Sequence, residues 1–208
     1  MTIKGLAFIA AALCISCGTV DLAKRYPNMV ADADPYQVGS VSVSFDRLFS
    51  FQLRESDVDV IFYPRENMVA LEFRHELTLY RQFWNEPARR RFTEALSRYE
   101  DDLANQRLTG RYNRSRAAYG KFNGRAEWET FSFSATYFSL PVIELGYRFR
   151  GNTPYFTVLQ NSARAGSEMQ SRSNFESLQF SIYFSPAQAE DLAQIFDRDF
   201  LLATLQNR

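Results

Sequence analysis

Cysteine is almost missing from this chain: Cys14 and Cys17 are the only two, and both fall in the first 17 residues. A disulfide framework or a cysteine metal cluster is thereby excluded from the folded part. Histidine is scarcer still. With His75 alone, no two-histidine metal site and no histidine relay can form. Of 24 basic residues three are lysine (Lys4, Lys24, Lys121) and 21 are arginine, and they are matched by 24 acidic residues. Removing a leader that ends before Cys17 takes away only Lys4 and leaves a net charge of −1. No global field therefore draws the protein to nucleic acid or anionic lipid. Long apolar runs are lacking too. The stretch from Leu6 to Ile15 is half of the ~20 residues that cross a bilayer. Missing as well are the Gly-x-Ser-x-Gly elbow, the dinucleotide and phosphate-binding glycine loops and the His-Glu-x-x-His zinc motif.

Aromatic residues are plentiful. The 19 Phe and 11 Tyr carry most of a 15% aromatic content, which favours sheet. Hydrophobic residues at 46% and charged residues at 23% make an ordinary globular balance over 208 residues.

The first 16 residues, MTIKGLAFIAAALCIS, combine a positive Lys4 with a short apolar run and end in Ser16-Cys17-Gly18. That is the layout of a secretory signal, and an ordinary signal peptide or a short buried helix is the plainer alternative. The small-Cys-small junction resembles the lipobox of bacterial lipoproteins, with Cys14 in place of the usual Leu three residues before Cys17. Relaxed boxes of this kind resemble those of spirochaete lipoproteins. The resemblance implies a signal peptide over residues 1–16 and a diacylglycerol thioether on Cys17, which becomes the mature N-terminus. Membrane lipid is then the first partner, through an acyl anchor. Gly18 rather than Asp follows the cysteine, and similarity to the enterobacterial sorting rule then favours the outer membrane. Residues 17–37 are aperiodic, contain Pro27 and Pro35, and read as the lipidated N-terminus and a tether.

Residues 38–208 read as a single domain. The odd positions from Val41 to Leu53 (Val41, Val43, Phe45, Arg47, Phe49, Phe51, Leu53) alternate with mostly polar residues, which predicts one long half-buried strand or two joined by a kink near Asp46, and Val58, Val60 and Phe62 repeat the pattern. A third strand is expected from Val69 to Tyr80, with Phe73, His75, Leu77 and Leu79 inward and Thr78 and Tyr80 outward. Asn85 then caps a helix with Pro87 in its first turn and an apolar stripe Phe92, Ala95, Leu96, Tyr99 and Leu103. Asn123-Gly124 predicts a hairpin turn between strands at Ala117–Phe122 and Arg125–Phe138. Further strands are expected over Val142–Arg150, Tyr155–Gln160 and around Phe180. Ser185 and Gln188 form a capping box with Pro186 at the first helical position, opening a helix that carries Leu192, Ile195, Phe196 and Phe200. The two halves, about 38–108 and 115–205, thus end alike. The expected fold class is α+β: antiparallel strands followed by a helix, used twice, with the helices packed on one sheet face. That element order loosely resembles the PUR and Whirly folds, which implies single-strand nucleic-acid binding if the protein is not exported.

Three features compete for a function. His75 falls on an apolar face, as a core histidine does. Glu55, Asp57 and Asp59 form a carboxylate ridge whose spacing matches no calcium loop, as the solvated face of a strand does. Residues 103–126 carry six cations and no acid. Within them Arg111, Tyr112, Arg114, Arg116, Tyr119 and Lys121 are the candidate partner-binding residues, suited to an anionic ligand or an acidic protein. No catalytic residue, cofactor or metal site is assigned. The reading is an envelope lipoprotein serving as a binding or structural module. An exported hydrolase with a carboxylate pair is the alternative, and nucleic acid is disfavoured by export and by the neutral charge.

Overall fold

A computed structural model describes residues 25–46, 52–110, 116–130, 136–166 and 175–207. Ten strands form one antiparallel sheet: β1 (Tyr36–Asp46), β2 (Leu53–Tyr63), β3 (Met68–His75), β4 (Thr78–Asn85), β5 (Gly120–Asn123), β6 (Arg125–Thr130), β7 (Thr136–Ser139), β8 (Val142–Arg150), β9 (Thr153–Gln160) and β10 (Phe180–Phe184). Their order across the sheet is β5-β8-β9-β10-β1-β2-β3-β4-β6-β7. Helix α1 (Glu86–Ala104) follows β4, and α2 (Pro186–Phe196) and α3 (Arg198–Gln206) follow β10.

The α+β expectation is overturned. Among the described residues strand accounts for 47% and helix for 25%, and the sheet is a curled half-barrel with three short helices rather than a sheet with helices layered on one face. Side chains far apart in strand order meet inside the curl. Gln82 of β4 donates to Gln160 of β9 at 3.0 Å, and the rings of Trp84 and Phe122 lie 5.2 Å apart, on β4 and β5. Tyr80 and Phe180, on β4 and β10, are 4.9 Å apart. The high Phe and Tyr content fills this interior, where large rings span a width that aliphatic side chains would leave void.

The Asn123-Gly124 hairpin is also corrected. β5 pairs with β8, and β6 pairs with β4 and β7, so the chain crosses between opposite ends of the strand order through Gly124 alone. The described glycines with positive φ are Gly120 and Gly151, so Gly124 lacks the left-handed backbone of a tight Asn-Gly turn. It is a glycine for want of space. A Cβ there would intrude on the Cδ1 of Ile143 and lie 3.0 Å from its Cγ1, while the amide donates to the Pro141 carbonyl at 2.8 Å.

The long third strand is two strands. His75 pairs with Thr78 across the two-residue turn Glu76-Leu77, with Glu76 at φ 53°. The break reverses the parity: Tyr80 is buried and Leu77 is 76% exposed, opposite to expectation. The terminal helix is likewise two helices, divided at Asp197, whose carboxylate caps α3 by accepting from the Asp199 and Phe200 amides. The other caps form as read. Asn85 accepts from the Ala88 amide at 3.0 Å, and Ser185 and Gln188 make the reciprocal box.

Antiparallel pairing puts the ends of β2, β4 and β10 and the starts of β1 and β3 at one end of the half-barrel. The helices gather there. Phe92 of α1 is fully buried among the rings of Trp84, Phe156, Phe184 and Phe196 and closes that end. The last part of the segment expected to be a tether docks at the same end. The Val30 amide donates to the Pro64 carbonyl at 2.9 Å, and Arg65 pairs with Asp32 and Asp34 at 2.7 Å each.

Candidate functional site

Cys17, Arg111, Tyr112 and Arg114 lie outside the described residues. The other three candidates are in view and do not form a common grip. Arg116 turns its guanidinium to Glu144 and to the Asn161 side chain. Tyr119 is buried, stacked near Tyr147 and Phe156, and donates to Asp102 at 3.0 Å. Burial, with the Asp102 carboxylate behind it, pushes its phenol well above the usual range. Asp102 itself is held below its ordinary value, chiefly by the hydrogen bond from Arg107. Lys121 is exposed. The Asp101-Asp102 pair near the end of α1 is thus tied to Arg107, which holds both carboxylates.

The most unusual charge lies elsewhere. Arg89, on the second turn of α1, is only 3% exposed. Its contacts are neutral: Nη1 donates to the Asn67 carbonyl at 3.0 Å and to the Trp84 carbonyl at 3.1 Å, and Nη2 donates to the Asn67 Oδ1 at 3.0 Å. Among the described residues no carboxylate pairs with it, and its Nε finds no acceptor. Burial pulls the group down to about 10, with Glu86 opposing from a distance, so it is cationic at neutral pH. Taking a guanidinium out of water without a counter-ion costs several kcal/mol.

Asn67 makes this arrangement possible. It ends the β2–β3 turn in the left-handed region at φ 51°, a conformation Asn tolerates, and presents its carbonyl and side-chain oxygen to Arg89 together. Its Nδ2 donates to Glu86 at 3.0 Å, which ties the turn to the start of α1. The Asn67 oxygens engage the two terminal nitrogens, and the Trp84 carbonyl engages Nη1 again. Of five N–H donors, Nε and one on Nη2 are left, and these two form the side edge of the guanidinium fork.

A surface cavity of about 260 Å³ borders Arg89, lined also by Glu86, Arg90, Thr93, Phe196, Asp197 and Arg198. Arginines from α1 and α3 thus face one space. The Asp197 carboxylate is committed to the α3 amides and Glu86 to Asn67. A second cavity of about 280 Å³ adjoins it through Glu86 and Arg90 and extends past Asn67 to Asn28.

Nothing in the sequence motifs singles out Arg89. The signal was its spacing. Arg89 precedes Phe92 by three and Leu96 by seven, which puts it on the apolar stripe of α1. The other expected features are solvent-facing or enclosed. Glu55, Asp57 and Asp59 are exposed opposite Val58 and Val60. His75 is 8% exposed between the rings of Phe45 and Phe180, and burial lowers its pKa. A second charged cluster, on the outer sheet face, joins Asp46, Arg148, Arg150 and the Tyr183 hydroxyl in ion pairs and hydrogen bonds of its own. Among the described residues no group of three or more His, Cys, Asp or Glu side chains is placed to hold a metal ion.

The family model described as "Uncharacterised Treponema protein" matches residues 35–203. The chain belongs to that family. The match starts one residue before β1 and ends within α3, so it takes in the ten described strands, α1, α2, most of α3 and every residue that borders Arg89. Neither the curated proteins nor the solved structures provide a match.

Proposed function

We propose that this protein is a lipid-anchored envelope protein whose folded domain acts as a binding module. The observation that carries the reading is the N-terminal order of Lys4, a ten-residue apolar run and Ser16-Cys17-Gly18, followed by a short link to the domain. The extent of the family match is in keeping with it, since residues 1–34 fall outside the matched region as a leader and linker would. Membership in a Treponema family agrees with a relaxed, spirochaete-like box. From Cys17 to the docked residue Asn28 the chain can reach at most about 40 Å, so the tether end of the half-barrel stays close to the acyl chains. The outer membrane is the favoured compartment, because Gly18 rather than Asp follows the cysteine. A binding role is supported by the arginines of α1 and α3 that line one surface cavity.

The test is the intact mass and membrane fractionation of the chain made in a spirochaete or another lipoprotein-processing bacterium, beside Cys17→Ala. A mass gain of one diacylglycerol with loss of residues 1–16, together with membrane retention, all abolished by the substitution, is the expected result. A soluble product lacking acyl mass would overturn the anchor.

A further inference from the structure

Asn123-Gly124 has no part in the site described above, yet in a flexible peptide Asn-Gly is the pair most prone to lose its side-chain amide. The Gly124 nitrogen attacks the Asn123 Cγ, and the N–Cγ bond forms as the Cγ–Nδ2 bond breaks. The proton of the attacking nitrogen leaves with ammonia, and water opens the resulting succinimide to aspartate or isoaspartate. Glycine favours the attack because it adds no Cβ and lets the backbone turn freely. The folded chain denies that turn. Asn123 ends β5 paired with Val142, and Arg125 opens β6 paired with Phe83. Between them the Gly124 amide donates to the Pro141 carbonyl at 2.8 Å, with Ile143 packed over the glycine itself. A strand residue keeps ψ at about +135°, which points the following nitrogen away from its side chain. Burial gives no shelter, since Asn123 is exposed. We propose that Asn123 is a deamidation site held shut by the crossing, which opens only when β5 and β6 come away from their partners.

The position also decides what the reaction does to the fold. β5 and β6 run against β8 and β7 in one unbroken register, from Gly120 against Leu145, through Gly124 at Pro141, to Glu129 against Thr136. Isoaspartate draws the Asn123 Cβ into the main chain and lengthens it by one atom. No bulge lies beside the crossing to absorb that atom. Phe122 of β5 sets its ring 5.2 Å from Trp84, and Trp128 of β6 lies 5.6 Å from Tyr137. A strand displaced on either side of Gly124 therefore pulls a buried ring out of place. Aspartate lengthens nothing, and its charge falls at an exposed position two residues from the exposed Lys121. An isoaspartyl chain thus loses the native register, and an opening of the crossing that lasts long enough becomes one-way.

This site is independent of the anchor and of the cavity beside Arg89, since neither Cys17 nor Arg89 takes part. The full chain in detergent is held in mildly alkaline buffer, folded in one sample and unfolded by guanidinium chloride in the other. Trypsin then releases residues 122–125, between the cuts after Lys121 and Arg125. The mass and chromatographic retention of that peptide tell asparagine, aspartate and isoaspartate apart. Conversion should be at least about a hundredfold slower in the folded sample, because opening of a central ladder governs it. Ile143→Val thins the packing over Gly124 and should speed conversion of the folded chain by about two- to tenfold. Asn123→Asp separates charge from length: it should fold and melt with the parent. Isoaspartyl chains isolated from the unfolded sample and diluted from denaturant should not regain native tryptophan fluorescence. Equal conversion in the folded and unfolded samples, or Ile143→Val without effect, would overturn the guarding of Asn123 by the crossing. Isoaspartyl chains that refold fully would overturn the argument from register.

Discussion

Replacing Gly124 with alanine tests whether the passage between β5 and β6 is a tight crossing or a turn. The added Cβ meets Ile143, whose side chain is fully buried. Carbon atoms pack best at about 3.5–4.0 Å, so a Cβ 3.0 Å from Cγ1 and closer still to Cδ1 must push the β8 side chain or open the crossing. Overpacking of this kind costs about 1–3 kcal/mol. Ile143→Val removes the Cδ1 that is struck first, and alone costs about 0.5–1.5 kcal/mol through the cavity it leaves. Combined, the changes offset each other, because the new methyl enters the space the old one leaves. The double variant should therefore recover about 1 kcal/mol or more relative to the sum of the singles. Urea denaturation of the four chains, followed by tryptophan fluorescence, closes this cycle. Were Gly124 instead the second residue of a hairpin turn, alanine would be penalised through its backbone and Ile143→Val would bring no relief. Additive effects within 0.3 kcal/mol or so would refute the crossing.

Further outcomes follow from the caps, the lone histidine and the buried phenols. Asn85→Ala and Ser185→Ala should each lower stability by about 1 kcal/mol in urea titrations, and a loss near zero at either would mean that its side chain is not closing the helix. His75 has a folded-state pKa below 6.5 because burial disfavours its charge, so the unfolded chain takes up a proton first. Stability is therefore complete above pH about 6.5 and falls as the pH drops below it, by at most about 1.4 kcal/mol per pH unit. His75→Phe should flatten that segment of the melting-temperature profile, and an unchanged slope would assign the acid lability elsewhere. Tyr99 donates to the Pro154 carbonyl at 3.1 Å, and burial pushes it up to about 12. Together with Tyr119 it should stay protonated in an alkaline absorbance titration until the chain unfolds, and ionisation of all tyrosines near pH 10 in the folded state would contradict their burial.

Much of the local structure was legible, because it rests on short-range rules. Period-two alternation marked β1 and β2, and the cap-proline sequences at Asn85 and Ser185 marked where α1 and α2 begin. The turn at Glu76-Leu77 was invisible for a physical reason. It holds none of the residues that favour a left-handed backbone, and the alternation of Phe73, His75, Leu77 and Leu79 continues straight across it. The arrangement of the sheet was not legible either. Antiparallel strands joined by short loops suggest neighbours, yet β5 and β6 are separated by eight positions of strand order and joined by one residue. Only the clash at Ile143 explains that glycine, and the clash exists only in three dimensions. Arg89 was hidden at the head of a run with Arg90 and Arg91, which do face solvent, although its place on the apolar stripe set it apart.

Strand β1 lies between β2 and β10, so the first strand synthesised waits for the last before both of its edges are paired. Until Phe180, Ile182 and Phe184 arrive, the rings of Phe45, Phe73 and Tyr80 have no opposite wall. Translation of nearly the whole chain therefore precedes closure of its interior. That delay is built into the order of the strands, and a chain cut short before β10 should be a substrate for proteases rather than a smaller version of the domain.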